Sequence, residues 1–212
     1  EIVLGYGALH KKKGFFNKLV RWETLHTAIQ YFSYAKAGLT YMGVGRKLSY
    51  KKAIFFRHKG FSPHNHIPGG DDDLFINKVA TKIITAIVID KDTFTLSEPA
   101  KNWKQWVKQK KRHYTTSKYY NLHHKFLLGL YALSHFLFYP FFIASALFYS
   151  WKEALIIFTI RCIIQGMVLF NVSEKLNEKD LFPIYWLLDI WMFFYYVIFS
   201  GALFKKPAKT WN

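Results

Sequence analysis

Three apolar stretches, at about 126–149, 153–172 and 181–204, limit this chain to folds that a membrane tolerates. Each approaches the roughly 20 residues a helix needs to cross a bilayer core. In hydrocarbon, only helices and closed barrels satisfy their own backbone N–H and C=O groups. The sequence therefore predicts a helical transmembrane region over 123–212. Pro140 interrupts the first stretch, Arg161 and Gln165 the second, and Pro183 and Asp189 the third. An isolated charge in lipid is costly, so these residues are expected to face protein or an interface. Arg161 either pairs with Asp189 across helices or marks a shallow helix.

Charge divides the chain in the opposite sense. Thirty Lys and Arg against thirteen Asp and Glu give a net charge of +17, and most of the basic residues precede position 126. Clustered cations of this kind bind nucleic acid by releasing phosphate counterions. Beside membrane spans, however, they are expected on the cytoplasmic side, attracting anionic headgroups at about 1 kcal/mol each. The partner read from this pattern is membrane lipid, with no nucleic acid. The localisation is the inner or plasma membrane, with 1–122 in the cytoplasm. Three full spans would place the basic tail 205–212 opposite the basic helix, so one stretch is expected to be re-entrant or interfacial. Cys162 is the only cysteine, which leaves neither an internal disulfide nor a thiolate metal cluster. An opening at Glu1 without Met or a signal-like segment reads as a cut through a longer protein.

Residues 1–122 read as a mixed α/β unit. EIVLGYGAL at 1–9 predicts a strand. From Phe15 to about Ala37, Leu19, Trp22, Leu25, Ile29 and Phe32 recur at helical spacing and predict one buried face. A glycine-broken strand is expected over 41–50, a short helix over 51–57, a helix from Asp71 to about Lys82, and strands at 85–90 and 93–96. Residues 101–118 predict a basic amphipathic helix suited to a membrane interface, with Trp103, Trp106 and Val107 close to one face.

Gly69-Gly70-Asp71-Asp72-Asp73-Leu74 carries the sharpest chemistry. Three adjacent carboxylates repel one another, which raises the proton affinity of at least one and makes a general base. The plainer account has Asp71 capping a helix while its neighbours stay solvated. For Trp103 and Trp106, anchoring at the interface competes with stacking on a sugar. His64 and His66 lack a third nearby ligand, so no metal site is assigned to this chain.

The order of GVGRKLSYKK at 43–52, the GDDD turn at 70–73, two short strands and Gln109-x-x-Arg112 before membrane spans resembles the inverting family 2 glycosyltransferases over nearly the whole chain. The resemblance implies the acceptor-side half of a GT-A type catalytic domain over 1–122, its nucleotide-binding half lying elsewhere. It implies Asp72 as the base on the acceptor hydroxyl, with Asp71 and Asp73 tuning or positioning it. Gly45 and Arg46 would support the sugar side, Trp106 would bind acceptor sugar, and Gln109 with Arg112 would close over the departing diphosphate. Partners would be a nucleotide-sugar donor and a glycan or lipid-linked acceptor. A divalent cation, Mg or Mn, would be held by residues outside this chain, and the chain alone would be inactive. Lys47 stands where many relatives have Asn. His113 replaces the Trp of processive relatives, which points away from long-polymer synthesis.

Two other classes compete with this reading. A non-enzymatic membrane scaffold binding anionic lipid would need only the basic face. A small transporter would need polar groups converging at mid-membrane, and only Arg161, Gln165 and Asp189 are offered.

Overall fold

The computed structural model describes residues 1–67 and 69–204, with Leu203 and Phe204 as backbone only. The basic tail 205–212 lies outside the described residues. The chain is largely helical with two small sheets. Residues 1–9 form two strands, β1 (Ile2–Leu4) and β2 (Gly7–Leu9). β1 lies between β3 (Leu48–Tyr50), antiparallel to it, and β4 (Thr85–Ile87), parallel to it. β2 pairs in parallel with β5 (Thr95–Ser97). The strand expected over 41–50 shrinks to β3, and Gly45–Lys47 form a 3-10 turn. The reason is the partner: β1 offers only three residues of ladder.

Against these sheets pack α1 (Phe15–Lys36), α2 (Lys52–Arg57) and α3 (Asp71–Val79), while α4 (Trp103–Ser117) meets α1 where Trp103 contacts Phe16. Leu19, Trp22, Leu25 and Phe32 of α1 are buried as their spacing predicts, with Ile29 half-buried. The same helix also buries Arg21 and Glu23, so it is enclosed on more than its apolar face. α3 starts at Gly70, whose φ of 81° is left-handed and costs glycine little. Asp71 is therefore not the cap: the three aspartates occupy the first turn, where the helix dipole favours negative charge. α4 is capped by Asn102, whose side chain accepts from the Gln105 N–H at 2.9 Å.

α5 (Leu122–Phe148) and α6 (Trp151–Lys175) form an antiparallel hairpin. A 3-10 segment, Lys179–Ile184, leads into α7 (Tyr185–Ser200). All three segments are long and apolar enough to cross a membrane. α5 and α6 expose Phe126, Leu130, Leu147, Ile157 and Ile164, surface that suits lipid and is costly in water.

α7 takes a different path. Tyr185 donates to the Cys162 carbonyl at 3.0 Å, Asp189 meets Arg161 and Gln165, Phe193 stacks on Phe136, and Tyr196 meets His135. Its residues thus cross α6 and then α5 instead of running alongside either. The segment before it is held to α1, where Arg21 pairs with Glu178 and, at 2.6 Å, with Asp180. Its end rests on α4, with Phe199 against Trp106 and Tyr114. Both ends of α7 thus rest on helices of the 1–122 region, α1 and α4.

At the crossing point, Asp189 accepts from Arg161 at 2.7 Å, from the Tyr139 hydroxyl at 2.6 Å and from Gln165 at 3.3 Å. The expected pair therefore forms. Three donors around one carboxylate offset the cost of taking both charges out of water.

Candidate functional site

A cavity of about 370 Å³ opens where β2, α1, the 45–47 turn, α3 and α4 meet. Gly45, Arg46, Asp72, Trp106 and Gln109 share its wall, so residues up to 64 positions apart in sequence converge there. Arg112 is not among the residues that line this cavity. A Cβ built on Gly69 would sit 3.6 Å from its Cδ, which seats the arginine on the glycine turn below the aspartates.

The three aspartates separate by environment. Asp71 is exposed, Asp72 half-buried and Asp73 buried. Asp72 Oδ2 accepts from the Gly45 N–H at 2.6 Å, and its Oδ1 accepts from the Asp73 N–H at 2.9 Å. Burial pushes the Asp72 carboxyl above the ordinary aspartate range, the two backbone N–H groups oppose that shift, and the Asp71 charge adds to it. Repulsion within the triplet is thus real but secondary to desolvation. Asp73 is pushed up further, by burial first and by the Asp72 charge second, and the Tyr120 hydroxyl donates to it at 2.9 Å. Asp73 faces Tyr120 and lines a neighbouring cavity instead of this one, which leaves it a positioning role.

Arg46 does not reach into the cavity as a free cation. Its guanidinium donates to the Ala8 and Gly7 carbonyls at 3.3 and 2.9 Å, pinning the 45–47 turn to β2. Trp106 corrects the expectation of sugar stacking. It is fully buried, with Trp103, Tyr195 and Phe199 against its ring at 5.0, 5.7 and 5.4 Å. With no exposed surface, the indole offers no face for a sugar to stack on. The burial follows from α7 lying over α4, which periodicity within α4 cannot register.

A second, larger cavity of about 440 Å³ lies between α1, α4, α5 and α7. Glu23, Thr27, Met42, Lys110 and His113 line both cavities and form the partition between them. Sequence reasoning missed this group. Glu23 is 4% exposed, accepts from the Thr27 hydroxyl at 3.0 Å and forms an ion pair with Lys110. Its only sequence signal was a carboxylate beside the buried face of an amphipathic helix. The His113 ring opens onto the cavities. Surrounding protein, then the charges of Lys110 and Arg112, push it down to about 3, so it is neutral at neutral pH.

Among the described residues, no three His, Cys, Asp or Glu side chains come together as a metal site. No residue of this chain is therefore assigned to the divalent cation that the family resemblance implies. Comparison with protein-family models, with curated proteins and with solved structures gave no match in any of the three.

Proposed function

We propose that this chain is the acceptor-side part of an inverting membrane glycosyltransferase of GT-A type, its nucleotide-binding half lying outside the chain. One observation carries the reading. Asp72, Gly45 and Gln109, three separate elements of the motif order, line a single cavity in a chain that also carries three helices apolar enough for a membrane.

In this mechanism the Asp72 carboxylate takes the proton of an acceptor hydroxyl as its oxygen attacks the anomeric carbon of the donor sugar. A new C–O bond forms on one face while the bond to the nucleoside diphosphate breaks on the other, which inverts the centre. The Gly45 and Asp73 N–H groups hold both carboxylate oxygens, fixing the rotamer that aims the base. Desolvation makes Asp72 a stronger base than a surface aspartate. Gln109 and Arg112 serve the departing diphosphate, for which a planar guanidinium offers paired N–H donors.

Asp72→Asn in the complete protein tests the proposal. The amide keeps an oxygen for the Gly45 N–H but cannot take a proton. The expected result is a loss of transfer of about 10²–10⁴-fold with unchanged membrane insertion and melting temperature. Transfer at the wild-type rate would remove Asp72 from the mechanism and favour a non-enzymatic anchor.

A further inference from the structure

The larger cavity plays no part in the chemistry above, yet it shares a wall with the Asp72 cavity. Its composition is asymmetric. Leu128, Ala132, Met192 and Tyr196 supply apolar surface from α5 and α7, while Lys118 and Lys125 stand at the end nearest the start of α5. Lys125 Nζ donates to the Lys118 carbonyl at 3.2 Å and, among the described residues, forms no ion pair with a carboxylate.

The α5 wall is also thin. Lys125, Gly129 and Ala132 fall on one stripe of that helix. Gly129 is exposed, and nothing lies within 4 Å of where its Cβ would stand. Phe126, Leu130 and Leu133, next to this stripe, are exposed on the outer surface of the same helix. Gly129 thus lines the cavity while leaving open space on the helix surface beside exposed apolar residues.

We propose that this cavity holds the phosphate-bearing head of a lipid-linked glycan, the acceptor of the transfer proposed above. Lys125 faces the phosphate, the first part of the lipid chain lies along Leu128, Gly129, Ala132 and Met192, and the glycan passes the Glu23–Lys110 partition toward Asp72. The inference rests on the transferase reading for the role of the ligand. Its binding can be measured without turnover.

The full chain, reconstituted in phosphatidylcholine vesicles, is exposed to a photoreactive long-chain alkyl phosphate, and the labelled residues are mapped. Expected labels fall on 125–132 of α5 and 192–196 of α7. The label is competed by unlabelled long-chain alkyl phosphate but not by inorganic phosphate or the long-chain alcohol. Gly129→Trp, which fills the opening, and Lys125→Glu, which reverses the charge, are each expected to lower labelling about tenfold. Leu133→Trp, on the lipid-facing surface, leaves it unchanged.

Labelling spread over the outer surface of α5 and α6, or insensitive to Gly129→Trp in protein that still melts cooperatively, overturns the proposal. So does competition by inorganic phosphate, which would mark a plain anion site. Asp72→Asn separates this inference from the transferase reading, because it is expected to retain full labelling while losing transfer.

Discussion

The backbone N–H of Gly45 donates to Oδ2 of Asp72 at 2.6 Å, joining a turn and a helix that lie 27 residues apart. Contact this close is possible because Gly45 has no side chain. A Cβ there would stand 2.8 Å from the same oxygen. Gly45→Ala is therefore expected to push Asp72 out of its rotamer. In the complete protein, transfer falls by about 10²-fold, the scale of loss from a misplacement near 1 Å. The melting temperature changes little, since the 45–47 turn has no buried residue. Equal losses of stability and activity would make the contact structural.

Two groups at the site respond to pH in different ways. Asp72 acts as base only when ionised, so transfer falls as pH drops through its raised pKa, above the ordinary 3.8. His113, held down to about 3, stays neutral above that pH, so His113→Gln leaves this acid limb in place. Stability shows the histidine instead. The unfolded chain takes up a proton near 6.5 and the folded chain only near 3, so acidification between those values favours unfolding. Melting curves of the wild type and His113→Gln, compared from pH 7 to 4, are expected to converge as pH rises. Parallel curves across that range would show that the His113 ring keeps its ordinary proton affinity in the folded chain.

Breaking the Arg161–Asp189 pair from one side leaves a stranded charge. Asp189→Ala removes the acceptor for Arg161, Tyr139 and Gln165 together. A loss of about 3–5 kcal/mol is expected. Arg161→Met combined with Asp189→Leu recovers most of it, because no buried charge remains. The readout is thermal unfolding in detergent, and additive losses in the double variant would show that the two side chains act independently.

The path of α7 predicts an accessibility pattern. With Cys162 replaced by Ser, single cysteines are introduced at Asn102, Tyr149 and Gly201, each exposed. A membrane-impermeant maleimide is expected to reach positions 102 and 201 from one side of the vesicle and position 149, in the turn of the α5–α6 hairpin, from the other. Labelling of 149 and 201 from the same side would instead make α7 a full span.

Much of this architecture was legible in the residues themselves. The spacing of Leu19, Trp22, Leu25 and Phe32 identified the buried face of α1. The apolar stretch at about 126–149 identified α5 to within a few positions. Asp72, Gly45 and Gln109 were each singled out before their common cavity was visible. These features are local: a helical period, a hydrophobic length, or a turn rich in glycine and carboxylate.

Tertiary structure decided what each face meets. α7 has the composition of a membrane span, but Arg21 holds the segment before it and α4 receives its end, so it lies across the hairpin. The same crossing buries Trp106 and lines the larger cavity with Met192 and Tyr196, while α1 and α4 bring Glu23 and Lys110 together between the two cavities. Residue type and period state how much surface an element must hide from water. Which partner hides it depends on contacts between residues far apart in the chain, and a local pattern carries no record of those.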